Sequence, residues 1–142
     1  MGQPYEATVQ PQPGTPVKPN TLTIASLLVI ILLPFHIAGD VVLGLDKGGP
    51  GLAFVVVPIL VFVACGALLL GERISGHVIM FFGGLASLAM PIIHRNNGFT
   101  PIIAKSPGGV FFIWTLIALG VLGGLMMILS VRGMWSLRSR KA

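Results

Sequence analysis

The sequence predicts an all-α integral membrane protein, a four-helix bundle with both termini on the cytoplasmic side, and three observations carry that expectation. Four apolar runs are each long enough, at about 1.5 Å per helical residue, to cross a hydrocarbon core of roughly 30 Å. Composition agrees, since 54% of the 142 residues are hydrophobic and only 9% are charged, against about 25% charged in an average soluble domain. The basic residues are also unevenly placed. On an alternating four-span path Lys18, Arg73, Arg132, Arg138, Arg140 and Lys141 share one side, and Lys47, Arg95 and Lys105 the other. Cytoplasmic segments carry the excess of Lys and Arg, so both termini are expected on the cytoplasmic side of a bacterial cytoplasmic (inner) membrane.

The four runs leave about fifty residues for everything else, too few for a separate globular domain with its own core. A net charge of +5 would suggest nucleic acid for a soluble chain. Here the cations cluster after the last span, a pattern of topology and of contact with the lipid bilayer, and no nucleic acid partner is expected. Cys65 is the single cysteine and lies in an apolar run. It excludes an intramolecular disulfide and a paired-cysteine zinc or redox motif, and reads as a small packing residue.

In chain order, residues 1–21 hold Pro4, Pro11, Pro13, Pro16 and Pro19 among polar residues, the composition of a disordered Pro-rich tail. Glu6 stands where a myristoylation pattern needs Ser or Thr, and Lys18 alone is too little positive charge for a signal-peptide start. Residues 22–135 make the four-span unit. The first span covers about residues 22–43 and carries Pro34; the second covers about 52–70 and carries Pro58. Between the second and third spans, Gly71 suits a helix C-cap and Ser75 an N-cap. The third span, about 76–94, is rich in Met and Gly and carries Pro91. Residues 95–109 form the one substantial loop, with an apolar stretch at 99–104 that could cover that end of the bundle. The fourth span covers about 110–131, Arg132 and Trp135 anchor it at the interface, and residues 136–142 form a basic cytoplasmic tail.

Helices in lipid associate through close packing, and small residues permit it. Gly66, Gly71, Gly83 and Ser87 serve that purpose, and Gly120 with Gly124 form a GxxxG pair suited to packing within the chain or to self-association. A faint repeat at an offset of 58 residues pairs His36 with His94, Lys47 with Lys105, Phe54 with Phe112 and Gly66 with Gly124. Met80, Met90, Met126 and Met127 read as apolar filler and not as a copper path.

The candidate polar intramembrane site is His36, Asp40, His94 and Arg95. His36 and Asp40 are four apart and share one helical face. By helical rise they lie about 21 Å and about 27 Å from Leu22, and His94 lies about 25 Å from His77, so all three fall toward the outer side. A carboxylate in hydrocarbon is expensive and marks a functional candidate, against the plainer reading of polar contacts between helices. Two imidazoles and a carboxylate are a valid zinc or iron set, and two histidines could ligate haem. Arg95 reads as an interfacial cation or a partner of Asp40 or Asp46. No phosphate-loop, nucleophile-elbow, HExxH or dinucleotide motif occurs, so no enzyme is expected. The sequence reads as a non-catalytic bundle or accessory subunit of a membrane assembly, with no cofactor. The alternative is a transporter or redox carrier handling protons, a transition metal or haem through His36, Asp40 and His94.

Overall fold

The computed structural model describes residues 20–139; the Pro-rich segment 1–19 and the last residues of the basic tail, 140–142, lie outside the described residues. The described residues form five helices and no strand: α1 (Thr21–Val42), α2 (Pro50–Leu68), α3 (Ile74–Ile93), α4 (Pro101–Lys105) and α5 (Gly109–Ser139). Four of them, α1, α2, α3 and α5, are long and apolar enough to cross a membrane. The chain is therefore a multi-pass helical membrane protein by length and composition.

Local chemistry sets the ends. Asn20 caps α1, its side-chain oxygen accepting from the Thr23 N–H at 2.8 Å and from the Thr23 hydroxyl at 2.9 Å. Removing that cap in Asn20→Ala is expected to cost about 1 kcal/mol, read as a lower thermal midpoint in detergent. α2 opens on Pro50 at its first turn, where a missing N–H costs nothing. α3 starts one residue before Ser75, which therefore sits inside the helix and does not cap it. Gly71 is not the left-handed cap that its position suggested either, since the positive-φ glycines are Gly44, Gly48, Gly49 and Gly108. It meets a different demand: a Cβ there would stand 2.8 Å from the Ala67 carbonyl oxygen, because the chain reverses tightly between α2 and α3. α5 continues to Ser139, so residues 136–139 of the expected tail are helix. Its 31 residues extend about 46 Å, well beyond a hydrocarbon core of roughly 30 Å.

α5 packs against both α3 and α1, while α2 packs against α3 and α1. One apolar cluster joins Leu22, Ala25 and Val29 of α1, Val63 and Ala67 of α2, Met80 of α3, and Leu119 and Met126 of α5. The closest approach is between α3 and α5. A Cβ on Gly84 would lie 2.7 Å from the Gly123 carbonyl oxygen, and one on Gly123 would lie 2.6 Å from the Leu88 nitrogen, so the two backbones touch there. The GxxxG pair is split: Gly120 faces Pro91 within the chain, its Cβ position 3.0 Å from Pro91 Cγ, whereas Gly124 has nothing within 4 Å.

Candidate metal centre

The cluster forms where α1 and α3 end and α5 begins. α1 terminates at the sequence Leu43-Gly44-Leu45. Gly44 adopts the left-handed conformation, φ 70°, which lets the Leu45 N–H reach back to the Asp40 carbonyl at 2.8 Å and the Gly44 N–H to the Val41 carbonyl at 3.1 Å. This double closure fixes the backbone of Asp40. His36 lies one turn earlier on the same face. His94 is the C-cap of α3, and its carbonyl accepts from the Asn97 N–H at 3.2 Å and the Gly98 N–H at 2.7 Å. Gly98 permits that turn, because a Cβ would come within 3.0 Å of His94 Cβ and 3.1 Å of Leu116 Cδ1. α4, capped by Thr100, lays Ile103 against Phe112 and Leu116 of α5. The apolar part of the long loop thus packs against the start of α5, and α4 makes no packing contact with α1 or α3.

His36 Nε2 and His94 Nε2 converge on one oxygen, Asp40 Oδ2, at 3.4 and 3.6 Å. One ligand atom from each of the three residues falls within 4.8 Å of the others. The His36 side chain is fully buried, that of Asp40 is 10% exposed and that of His94 is 18% exposed, so His94 is the side of the cluster least covered by the chain. Phe112 fixes both rings: it stacks on His36 at a centroid distance of 4.8 Å and meets His94 edge-on at 5.8 Å. Gly39 leaves room for it, since a Cβ there would stand 3.0 Å from Phe112 Cδ2. His36 Nδ1 faces the Thr115 hydroxyl at 3.3 Å.

Neither nitrogen–oxygen contact has the geometry of a hydrogen bond. His36 Nε2 and Asp40 Oδ1 are buried with no hydrogen-bond partner, an arrangement that destabilises a protein unless something else satisfies it. The two separations from Asp40 Oδ2 suit a shared ion, and the third pair of ligand atoms lies within 4.8 Å. Bonds of about 2.0–2.2 Å from a tetrahedral metal place neighbouring ligand atoms about 3.3 Å apart, close to the 3.4 and 3.6 Å found.

The structure therefore gathers His36, Asp40 and His94 and leaves Arg95 outside. Arg95 is exposed and has no ion pair with Asp40 or Asp46; the ion-pair contacts of Asp40 are the two histidines. His77 stands at the other end of α3, its Nδ1 3.0 Å from the Arg73 carbonyl oxygen and its ring against Gly133. Sequence reasoning missed Thr115 and Phe112. Thr115 is the one hydroxyl in the outer half of the fourth apolar run, a signal that was available.

These features define the class as a helical multi-pass membrane protein with a buried two-histidine, one-carboxylate cluster at the helix ends. Compared with protein-family models, curated proteins and solved structures, the chain matches none.

Proposed function

We propose that this protein is a non-catalytic, four-helix bundle of the bacterial inner membrane that binds a transition metal ion at its outward end through His36, Asp40 and His94. The excess of Lys and Arg on the side of both termini supports the cytoplasmic placement of those termini. The observation that carries the metal reading is the convergence of two imidazole nitrogens on one carboxylate oxygen, at 3.4 and 3.6 Å. Nitrogen-rich donors suit zinc and its neighbours, while Mg²⁺ and Ca²⁺ demand oxygen. Three protein ligands leave one position open, and His94 is the member of the set least covered by the chain. A mobile cargo ion is better served by such a site than by a closed structural one. Haem fits poorly, because a macrocycle between His36 and His94 would displace Asp40 and the stacked Phe112 ring.

Elemental analysis and zinc titration of the detergent-purified protein test this. The native chain is expected to hold close to one equivalent, and His36→Ala and His94→Ala are each expected to lose it while remaining helical. A folded native protein that takes up no zinc, cobalt or iron would retire the metal reading.

A second reading, that of an accessory subunit, draws support from α2. Only 17% of its most apolar window is buried within the chain, against 33–39% for the other long helices. Phe54 and Phe62 are 80% and 61% exposed on it. Native mass spectrometry of the protein released from its own membranes distinguishes a partner-bound form from a lone chain.

A further inference from the structure

Of the polar groups around the cluster, Thr115 is the one that touches none of the space an ion would fill, and yet it determines what His36 can offer. Its hydroxyl has one hydrogen. The Phe112 carbonyl oxygen lies 2.7 Å away on the same helix, and the hydroxyl donates to it. What remains toward His36 is an acceptor oxygen, 3.3 Å from Nδ1. Thr115 is completely buried and His36 is 1% exposed, so water does not intervene. A ring nitrogen facing a committed acceptor in such a place carries the hydrogen.

We infer that Thr115 is the positioning residue of this site: it holds His36 as the Nδ1–H tautomer and so presents a bare Nε2 lone pair to Asp40 and His94. The inference rests on the metal reading and deepens it by stating which atom of His36 is the ligand and why. A metal-bound imidazole is oriented in this way when its other nitrogen donates to an outer oxygen. The same tautomer agrees with a further observation. His36 Nε2 makes no hydrogen bond although Asp40 Oδ2 is only 3.4 Å away, as expected of a lone pair facing a carboxylate that has no hydrogen to share. The 3.4 Å gap then places two electron-rich atoms side by side, a repulsion that a cation between them reverses. Phe112, which supplies the carbonyl that commits the Thr115 hydroxyl, also stacks on the His36 ring. One turn of α5 thus sets both the plane and the protonation of the imidazole. The ligand class that follows is a divalent ion of the zinc type, bound by neutral nitrogen donors and one carboxylate.

The test uses the full-length protein in detergent micelles with nitrogen-15-labelled histidine. Long-range proton–nitrogen correlation spectra report the His36 tautomer without metal, and zinc titration against a competing chelator reports affinity. The expected result is an Nδ1–H pattern for His36 in the metal-free native protein. Thr115→Val is expected to lose that preference and to bind zinc about 10- to 100-fold more weakly, with Thr115→Ser restoring both. An Nε2–H pattern in the metal-free native protein would overturn the inference, and so would native affinity in Thr115→Val. The spectrum of the native chain decides the matter even if the valine variant fails to fold. Zinc-free behaviour of a native protein that nonetheless shows the Nδ1–H pattern would remove the metal reading and support the assignment of Thr115.

Discussion

Asp40→Asn is expected to eliminate zinc binding, a loss of about 100-fold or more, while the metal-free protein stays as stable as the native chain or becomes more stable. The two halves of that result have separate causes. Asp40 Oδ2 is the atom on which both imidazoles converge, and the amide that replaces it is neutral and a poor ligand, so affinity falls by more than the effect of an outer-shell change. Stability moves the other way. A carboxylate 10% exposed near the end of a membrane helix is costly to keep charged, and an amide of the same shape relieves that cost. Purely structural polar contacts between α1 and α3 would behave differently. Zinc binding would then be absent in both proteins, and the variant would melt at a lower temperature for want of its contacts. Calorimetric titration together with thermal melts of both proteins separates these outcomes. A variant that binds zinc like the native chain would sink the assignment of Asp40.

The second large effect belongs to packing. Gly123→Leu is expected to destabilise the protein by about 3 kcal/mol, enough to lower its yield and its melting temperature sharply. No rotamer avoids the conflict, because the first added atom meets backbone: the Gly84 oxygen at 2.5 Å and the Leu88 nitrogen at 2.6 Å. α3 and α5 would have to separate along their closest contact. Gly124→Leu, one residue on, is expected to change stability by less than about 0.5 kcal/mol, since nothing stands within 4 Å of its Cβ position. If Gly124 is a self-association contact, that variant will also shift the oligomeric state by light scattering without lowering the melting temperature. Equal tolerance at both positions would mean that α3 and α5 do not meet as described.

How much could be read beforehand depends on whether a signal is local. Four spans were legible because apolar length is a property of each segment alone, and α1 to α3 fall within a few residues of the expected limits. The extent of α5 was not, since hydropathy marks where a helix leaves the lipid and is silent on where it stops; Arg132 to Ser139 simply continue it. His36 and Asp40 were legible from their spacing, and His94 from its depth. Phe112 was hidden among apolar residues, and Thr115 stood out as a lone hydroxyl while its partner, His36, lies 79 positions away. Small residues posed the same difficulty. Gly84 and Gly123 look no different from Gly120 and Gly124 in sequence, and only the crossing of α3 and α5 distinguishes them. The internal repeat shows how far pattern alone goes: it pairs Phe54 with Phe112, yet the first is 80% exposed and the second 1% exposed. Residues 1–19 and 140–142 lie beyond the described residues, so the expectations about the Pro-rich tail and the last cations stand as sequence readings.

The three residues of the cluster are divided between helices that are not chain neighbours. His36 and Asp40 belong to α1 and His94 to the end of α3, with α5 packed against both. An ion held by all three would work as a clasp across that end, and opening it would free the two helix tips to spread. Asp40 is also the residue whose carbonyl anchors the turn leading to α2, so the strain of closing or opening the clasp would pass directly into the α1–α2 connection at the membrane surface. Occupancy would thereby become visible from outside the protein as a change of shape, legible to a partner that never touches the ion.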